Sequence, residues 1–511
     1  MAEEPDAKRA KLLEGRFGAM LPPKGRPPSA LNEFKCNANE AITFHLVYAA
    51  EQLDLSSDTM PASVPPRASF HPLMTHQLFG DDEIIKGYKN LKVDIFLHAT
   101  TFYAYLDIKY EEKLEKLSRK QQPDNILEKL KVYFENDITE DREAFVRSLP
   151  VYNAINFLDF EPQTLPASTS APSTSSSHPS ELYEVVQLPL DKEAVRQWHN
   201  RLQVFLIFFI DGGNYIDTEE RDWDLLVALE RPSDWDGRSG SAKVAGFCTV
   251  RSFYSYPEST RLRLSQLVVL PSFQKRGHGS RLIESVYHLA QERGCYDVTT
   301  EDPTDDMNQL RDEVDVKRLQ ERPEVKEAVE RALAAAASQK EESSGATEGE
   351  APKQKNPLAI SPSLLEDLRK SLKINKKNIK KCWEVLLSLH LDKSPPVTRD
   401  AFLRLQLDHG ARRAETAAGG GGRSRGYGGG GANGHAKGGL LKALQKAVRK
   451  EEESDDGGEG SEAEESDGGV AVQKQTPEEA AREKQEQLLQ LYGRREEQLK
   501  KHAKKLLSHG S

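Results

Sequence analysis

This chain of 511 residues holds little that points to a metal, a disulfide scaffold or a membrane. Cysteine is scarce. Cys36, Cys248, Cys295 and Cys382 are the only four, none forms a C-x-x-C pair, and none stands near a histidine cluster. A zinc site or disulfide framework is therefore not expected, and a reducing compartment is the default. Long apolar runs are missing as well. The longest, Val204-Phe205-Leu206-Ile207-Phe208-Phe209-Ile210, falls well short of the ~20 residues needed to cross a bilayer. The first residues, Met1 to Asp6, lack the basic and apolar regions of a signal peptide. A soluble intracellular protein with no membrane contact is expected. Surplus positive charge is absent too. The formal net charge of −10 argues against direct nucleic-acid binding by bulk field and suits a basic partner. Only 37% of residues are hydrophobic and 30% are charged, so part of the chain is expected to stay unfolded. No internal repeat is visible.

Composition divides what remains. Residues 1–30 are polar and proline-rich and are expected to be disordered. Within them Lys8-Arg9-Ala10-Lys11 fits a nuclear address or a chance cluster equally well. Residues 31–163 carry strand-like alternation at Ala41–Val47, Leu91–Leu97 and Tyr103–Tyr110, which predicts a small α+β domain. A Ser/Thr/Pro-rich flexible linker follows at 164–180. Residues 181–322 begin with a helix whose Val195, Trp198, Leu202, Phe205, Leu206 and Phe209 share helical spacing. Strands at Leu225–Leu229 and Ala245–Val250 come next, then a strand–turn–helix–strand crossover. That order predicts a mixed sheet with helices on its faces. A helix and polar insert fill 323–360. Leu364, Leu365, Leu368, Leu372, Ile379, Trp383, Leu386 and Leu387 predict a helical domain over 361–408. Residues 409–475 are glycine-rich and then acidic, a disordered composition, and 476–511 carry helix formers that predict a terminal helix.

The crossover holds the chemistry. An apolar strand, Leu264–Leu270, runs into Gln274-Lys275-Arg276-Gly277-His278-Gly279, and a helix follows with Leu282, Ile283, Val286, Leu289 and Ala290 on one face. A glycine turn that opens a helix presents free N–H groups at the positive end of the helix dipole, which makes a phosphate cradle. The G-x-x-x-x-G-K-[ST] string is absent, and Leu282 stands where G-x-G-x-x-G needs its last small residue. Glycines placed only for a βα turn explain the hexapeptide alone as well. Lys275 and Arg276 either touch phosphate or face water. A second strand, Asp297–Thr300, ends in Glu301-Asp302-Pro303, at the carboxyl end where open α/β sheets place ligands. A solvated strand-end carboxylate is the plainer reading of Glu301 by itself. Trp223, among Glu219, Glu220 and Asp222, is either the wall of a lysine channel or a core Trp beside a charged turn.

The pattern Q/R-x-x-G-x-G/A after a strand resembles the acetyl-CoA loop of the GNAT acetyltransferases. Ser265-Gln266, Pro271-Ser272-Phe273-Gln274, Gly277-His278-Gly279, Glu301-Asp302-Pro303 and Leu310-Arg311-Asp312 together resemble one branch, the type B histone acetyltransferase catalytic subunits. Thr75–Glu83, Gly87-Tyr88-Lys89, Lys373–Lys376 and Glu384-Val385-Leu386 extend the likeness over most of 31–395. The resemblance implies a GNAT-type mixed central sheet with flanking helices, an N-terminal α+β domain and a C-terminal helical segment. It implies acetyl-CoA as co-substrate and no metal. Glu301 matches the family's catalytic base, Asp302 is its neighbour, and Asp211 falls where relatives carry a carboxylate. The diphosphate is expected on Gln274, Lys275, Arg276, Gly277, His278, Gly279 and Ser280. The pantetheine arm is expected along Leu267, Val268 and Val269, and the adenosine or phosphate end near Thr304 and Arg311. Asp81, Asp82 and Glu83 match a histone-tail contact. Arg251, Ser252 and Phe253 match a second one, although their spelling departs from the family's tyrosine-rich pattern. Free histones, chiefly the tail of histone four, a WD-repeat histone chaperone, and residence in nucleus and cytoplasm are implied with them. Two rival readings remain, a GNAT enzyme for another amine and a non-catalytic histone-binding protein.

Overall fold

Period-two alternation becomes two large sheets, beside two short two-stranded ribbons, in the computed structural model. The model describes residues 30–54, 67–115, 117, 122–134, 137–149, 163–165, 181–220, 222–232, 242–257, 259–338 and 356–391, with isolated positions up to 405. The loose N-terminus with its basic cluster, the rest of the linker, the acidic segment and the terminal helix expected from the sequence lie outside the described residues.

In the N-terminal region β1 (Ile42–Val47), β2 (Ala68–Phe70), β3 (Lys92–His98), β4 (Ala104–Lys109) and β5 (Ile138–Thr139) stand in the order β2-β1-β3-β4-β5. Pairs β1–β3 and β4–β5 are parallel and the other two antiparallel. The three alternating stretches expected as strands are β1, β3 and β4. A one-turn helix, α1 (His76–Phe79), ends at Gly80, whose φ of +81° the missing Cβ permits. It leads into the Asp81–Glu83 loop. Helices α2 (Ile126–Phe134) and α3 (Arg142–Ser148) follow.

The second sheet has six strands: β6 (Gln163–Leu165), β7 (Glu181–Pro189), β8 (Trp223–Pro232), β9 (Lys243–Ser255), β10 (Ser259–Val269) and β11 (Val298–Thr300), in sequence order. All neighbours are antiparallel except β10 and β11, which the α5 (His278–Glu292) crossover makes parallel. The boundary expected at 163 is corrected here. Gln163–Leu165 register against Val185–Gln187, and Leu165 is buried, so this edge strand belongs to the second sheet and not to a linker.

Between β7 and β8 runs α4 (Glu193–Phe209), the long apolar-faced helix expected from the sequence. It joins the two regions. Trp198 Nε1 donates to the Thr100 carbonyl at 2.7 Å, Arg201 Nε pairs with Asp137 at 2.6 Å, and Phe208 meets Phe44 edge-on at 5.0 Å. Full burial of one such ring contributes roughly 2 kcal/mol.

After β11 come α6 (Asp305–Gln320), α7 (Pro323–Ala337), α8 (Pro362–Leu372) and α9 (Lys376–Ser388). The last two were expected as a domain of their own. Instead they cover the open side of β11. The Val298 N–H donates to the Lys373 carbonyl at 2.8 Å, Asn375 Nδ2 to the Val298 carbonyl at 3.2 Å, and Asn378 Nδ2 to buried Asp315 of α6 at 2.9 Å. An exposed sheet edge is thereby satisfied.

Candidate active site

The site starts where two parallel strands separate. β10 and β11 pair only over Leu262–Leu264 and Val298–Thr300, and the Glu301 N–H closes that ladder on the Leu264 carbonyl at 2.9 Å. From Ser265 to Val269 no strand pairs with this side of β10 among the described residues. The register against β9 also slips here: Thr249 faces Gln266 and Val250 faces Leu264, which leaves Ser265 as the extra residue of a β-bulge. Leu267, Val268 and Val269, expected along the pantetheine arm, form this open stretch. Val268 is buried, and the stretch offers a ligand its open backbone edge and the half-buried side chains of Leu267 and Val269.

Beyond it the chain turns through Pro271–Phe273 into the start of α5. Gln274 Nε2 donates to the Val269 carbonyl at 3.0 Å, so this side chain ties the turn to the strand. Lys275 (φ +60°) and Gly277 (φ +83°) take left-handed backbone, the second as the residue just before α5. No side chain caps the first N–H groups of α5, and its first turn, with His278, Gly279 and Ser280, carries no acidic residue. Those uncapped donors at a helix N-terminus fit an anion. Gly279 also gives room for close packing: a Cβ there would lie 2.7 Å from the Leu310 side chain of α6, which would have to shift. Of Arg276 and His278, both expected at the phosphates, the His278 side chain is corrected. His278 is buried and its Nε2 donates to Glu230 Oε1 at 2.7 Å, while Arg276 reaches both oxygens of Glu230 at 3.1 and 3.0 Å. Arg276 is thus held by Glu230 at the rim of the turn, with 36% of its side chain still exposed. Their backbone N–H groups remain at the turn.

Glu301 sits at the end of β11 with its side chain 46% exposed. Ser265 Oγ donates to its Oε2 at 2.5 Å, and the Arg263 guanidinium lies 3.6 Å from its Oε1. Beneath the strand, Arg311 is held inside the fold. It donates to Thr300 Oγ1 at 2.7 Å, to the Val298 carbonyl at 2.8 Å and to the Tyr287 hydroxyl at 3.3 Å, and lies near buried Asp315. This corrects its expected place at the adenosine or phosphate end: Arg311 braces the strand that carries Glu301. Thr304 is corrected too. Its Oγ1 accepts from the Met307 N–H at 3.2 Å as the cap of α6, whose first turn carries Asp305 and Asp306, a poor place for a phosphate. Asp302, with φ +31°, is exposed beside Glu301.

Gln266 ties this centre to α4 and the loop behind it. Its Oε1 accepts from Thr249 Oγ1 at 3.0 Å and from His199 Nε2 at 3.3 Å. Its Nε2 donates to Gln203 Oε1 at 3.0 Å and to the Asn214 carbonyl at 3.1 Å. Burial lowers the His199 pKa to about 3, so this ring is neutral. The neighbouring Gly213 carbonyl accepts from Gln77 of α1 at 3.2 Å, which brings the loop after α1 toward the same end of the sheet. Asp81 and Asp82 are exposed on that loop. Glu83 is not free to meet a tail, a correction to the expectation. It accepts from the Thr75 N–H at 2.6 Å, the His76 N–H at 3.2 Å and Asn39 Nδ2 at 2.6 Å, and so shapes the loop. Asp211 is 83% exposed, 3.7 Å from His76, and reaches no group of the Glu301 centre in the described contacts.

Across the same face of the sheet, Arg251 pairs with Glu220 and lies over Trp223 and Phe253, and Arg263 lies over the same Phe253 ring at 4.3 Å. Trp223 Nε1 is buried with no partner among the described residues. Ser252 contributes a backbone N–H to the Asp222 carbonyl at 3.0 Å. Arg263 and Glu230 escape a sequence reading, and Ser265 and Gln266 enter it only as part of the resemblance, with no role. Alternation could have found Arg263 and Ser265, which share the period-two face opposite Leu262 and Leu264.

A parallel pair that opens beside a glycine turn at a helix start defines an acetyltransferase of the GNAT fold. Residues 195–310 match the acetyltransferase (GNAT) family, and residues 34–211 match the histone acetyl transferase HAT1 N-terminus. The chain is 32% identical over 314 residues to the histone acetyltransferase type B catalytic subunit of Rattus norvegicus, covering 60% of this chain and 70% of that protein. The Homo sapiens protein of the same name gives 31% over 312 residues, with the same coverage, and that of Arabidopsis thaliana 28% over 360 residues, 70% of this chain and 72% of that protein. Among solved structures, a metagenomic aminoglycoside acetyltransferase is 18% identical over 25% of this chain and 83% of that chain, with a TM-score of 0.20, too low to bear on function. The chain belongs to the family of type B histone acetyltransferase catalytic subunits, and it is an enzyme; GNAT acetyltransferases use acetyl-CoA.

Proposed function

We propose that the protein transfers the acetyl group of acetyl-CoA to lysine side chains of free histones, chiefly the tail of histone four, with Glu301 as general base. The observation that carries this reading is Glu301 itself. It is half exposed at the mouth of the β10–β11 opening, held by Ser265 Oγ at 2.5 Å, beside the uncapped start of α5.

A free lysine has a pKa of about 10.4, so near neutral pH it arrives as a cation that cannot attack a carbonyl. Glu301 removes that proton and leaves the amine neutral. Ser265 fixes the carboxylate's direction. Arg263 keeps the resting carboxylate paired and has the Phe253 face to rest on when an ammonium takes its place. Acetyl-CoA would supply the activated acyl carbonyl. Backbone N–H groups on the open edge of β10 are suited to polarise its oxygen, and the N–H groups at the start of α5 to hold its diphosphate. No enzyme nucleophile is required. Burial pushes the Cys248 and Cys382 thiols up, away from the thiolate. Asp81 and Asp82 give the entrance an acidic rim, which gains more in steering a basic tail than in affinity.

A WD-repeat histone chaperone as partner and residence in both nucleus and cytoplasm belong to the same proposal and rest on the sequence resemblance alone. Mass spectrometry of free core histones, small amines and N-terminal peptides incubated with the purified protein and acetyl-CoA tests the substrate. Acetyl-lysine on histone four, absent with Glu301→Gln, is expected. Acetylated small amines or N-termini with untouched histones would replace this reading.

A further inference from the structure

Glu230 is the last place on β8 where a charge would be expected. It ends the apolar run Leu225–Leu229, and its side chain is fully buried. Burial alone would raise its pKa, but the His278 hydrogen bond and the Arg276 guanidinium outweigh it and hold the group below the usual carboxylate range. Its two partners are the residues on either side of Gly277. Arg276 binds from the turn with contacts of 3.1 and 3.0 Å, and His278 from the first residue of α5 at 2.7 Å. Tyr183 and Phe273 box the His278 ring edge-on. The left-handed turn at Gly277 is therefore pinned from below on both flanks by one anion.

The basic side chains around the turn thus fall into two sets. Arg276 and His278 are committed to Glu230. Lys275 is exposed and has no ion-pair partner among the described residues. Arg281, on the first turn of α5, lies over Tyr183 at 4.3 Å and donates one N–H to the Arg276 carbonyl at 2.9 Å. A cation near a helix N-terminus is opposed by the dipole. Neutralising Arg276 with a buried carboxylate removes most of that penalty without placing negative charge where a diphosphate would sit.

We propose that Glu230 is the positioning residue of the acetyl-CoA turn: it fixes the N–H groups of residues 276–278 through Arg276 and His278, and Arg276 acts on the co-substrate only through Glu230. The proposal rests on the reading that this turn holds the diphosphate. Glu230 touches no reacting atom, so its loss is felt in co-substrate binding and not in the chemical step.

Steady-state kinetics on the full chain, with acetyl-CoA varied at saturating histone peptide, separates these outcomes. Glu230→Gln keeps the shape and removes the charge; its KM for acetyl-CoA is expected to rise about tenfold while kcat changes by less than about twofold. A merely structural role would instead lower the active fraction, and kcat with it, at unchanged KM. Arg276→Gln buries nothing new and is expected to raise KM about threefold. The double variant is expected to be no worse than Glu230→Gln alone, because one arm has no function without its anchor. Additive losses would mean that Arg276 contacts the phosphates directly and would overturn the proposal, as would an unchanged KM in both single variants. Should Glu230→Gln fail to fold, Arg276→Gln and His278→Asn decide: unchanged KM in both overturns it. Gly277→Ala distinguishes the underlying reading. Its φ of +83° and an Arg281 nitrogen 3.1 Å from the new Cβ disturb the turn itself. If that variant leaves KM untouched, the turn does not hold acetyl-CoA; if KM rises there but not with Glu230→Gln, only the proposal falls.

Discussion

Two glutamates at corresponding strand ends of one sheet are treated in opposite ways. Glu230, at the end of β8, has no exposed side-chain surface and spends both oxygens on Arg276 and His278. Glu301, at the end of β11, keeps 46% of its side chain exposed, with one hydrogen bond and one longer ion pair. A buried charge that is fully partnered is fixed, and moving a proton to it would break a network. A half-open charge with room for one more partner can accept a proton and return it. The difference separates scaffold from chemistry without any appeal to residue type.

The strongest way to break that contrast is Glu301→Gln. It is expected to cut kcat by about 10²- to 10⁴-fold with little change in thermal midpoint, read by acetyl transfer and a melting curve. A variant that melts early but keeps its rate would reverse the assignment. Glu230→Ala should show the converse emphasis. Removing one partner of a buried pair costs about 3–5 kcal/mol, measurable by urea unfolding. Buried imidazoles sharpen the comparison next. Burial lowers His98 to about 4 and His199 to about 3, against an ordinary 6.5. Below pH 6.5 the unfolded chain takes up protons that these folded rings refuse. Stability is therefore expected to fall as pH drops from 6.5 toward 4, by about 1.4 kcal/mol per pH unit for each ring. A flat unfolding free energy over that range would mean that neither ring is held neutral. Ser265→Ala removes the hydroxyl that aims Glu301 and is expected to lower kcat about three- to tenfold at unchanged KM for acetyl-CoA. Least affected should be Asp81→Asn with Asp82→Asn. A rise of about twofold in KM for a basic peptide, vanishing at high salt, is expected of an exposed steering pair.

Much of this was legible in sequence because it is local. Strands β1, β3, β4, β8, β9 and β10 announce themselves by alternation or apolar runs, α4 by its period, and the turn at Gly277 by its spelling. What was hidden depends on distant partners. Arg276 and Lys275 are adjacent and alike in sequence, yet only one finds a buried anion, on a strand 46 residues away. Arg311 looks like a surface cation, but Tyr287 and the carbonyl of Val298 take it inside. Ser265 is an ordinary strand residue until the bulge turns it toward Glu301. Glu83 stands next to Asp81 and Asp82 in the chain, and only the backbone of Thr75 and His76 reveals that it is already used.

Helix α4 has a consequence for anyone dividing the molecule. Its Phe205 and Phe208 rings lie against Phe44, Phe102 and Phe70 of the N-terminal region, while Gln203 and His199 support β10. The stretch 195–211 accordingly falls within both family matches. A fragment that began at Glu181 would retain Glu301, the glycine turn and their braces, yet strip the cover from a sticky aromatic flank. Such a piece would clump before it could be assayed, and its silence would say nothing about the active centre.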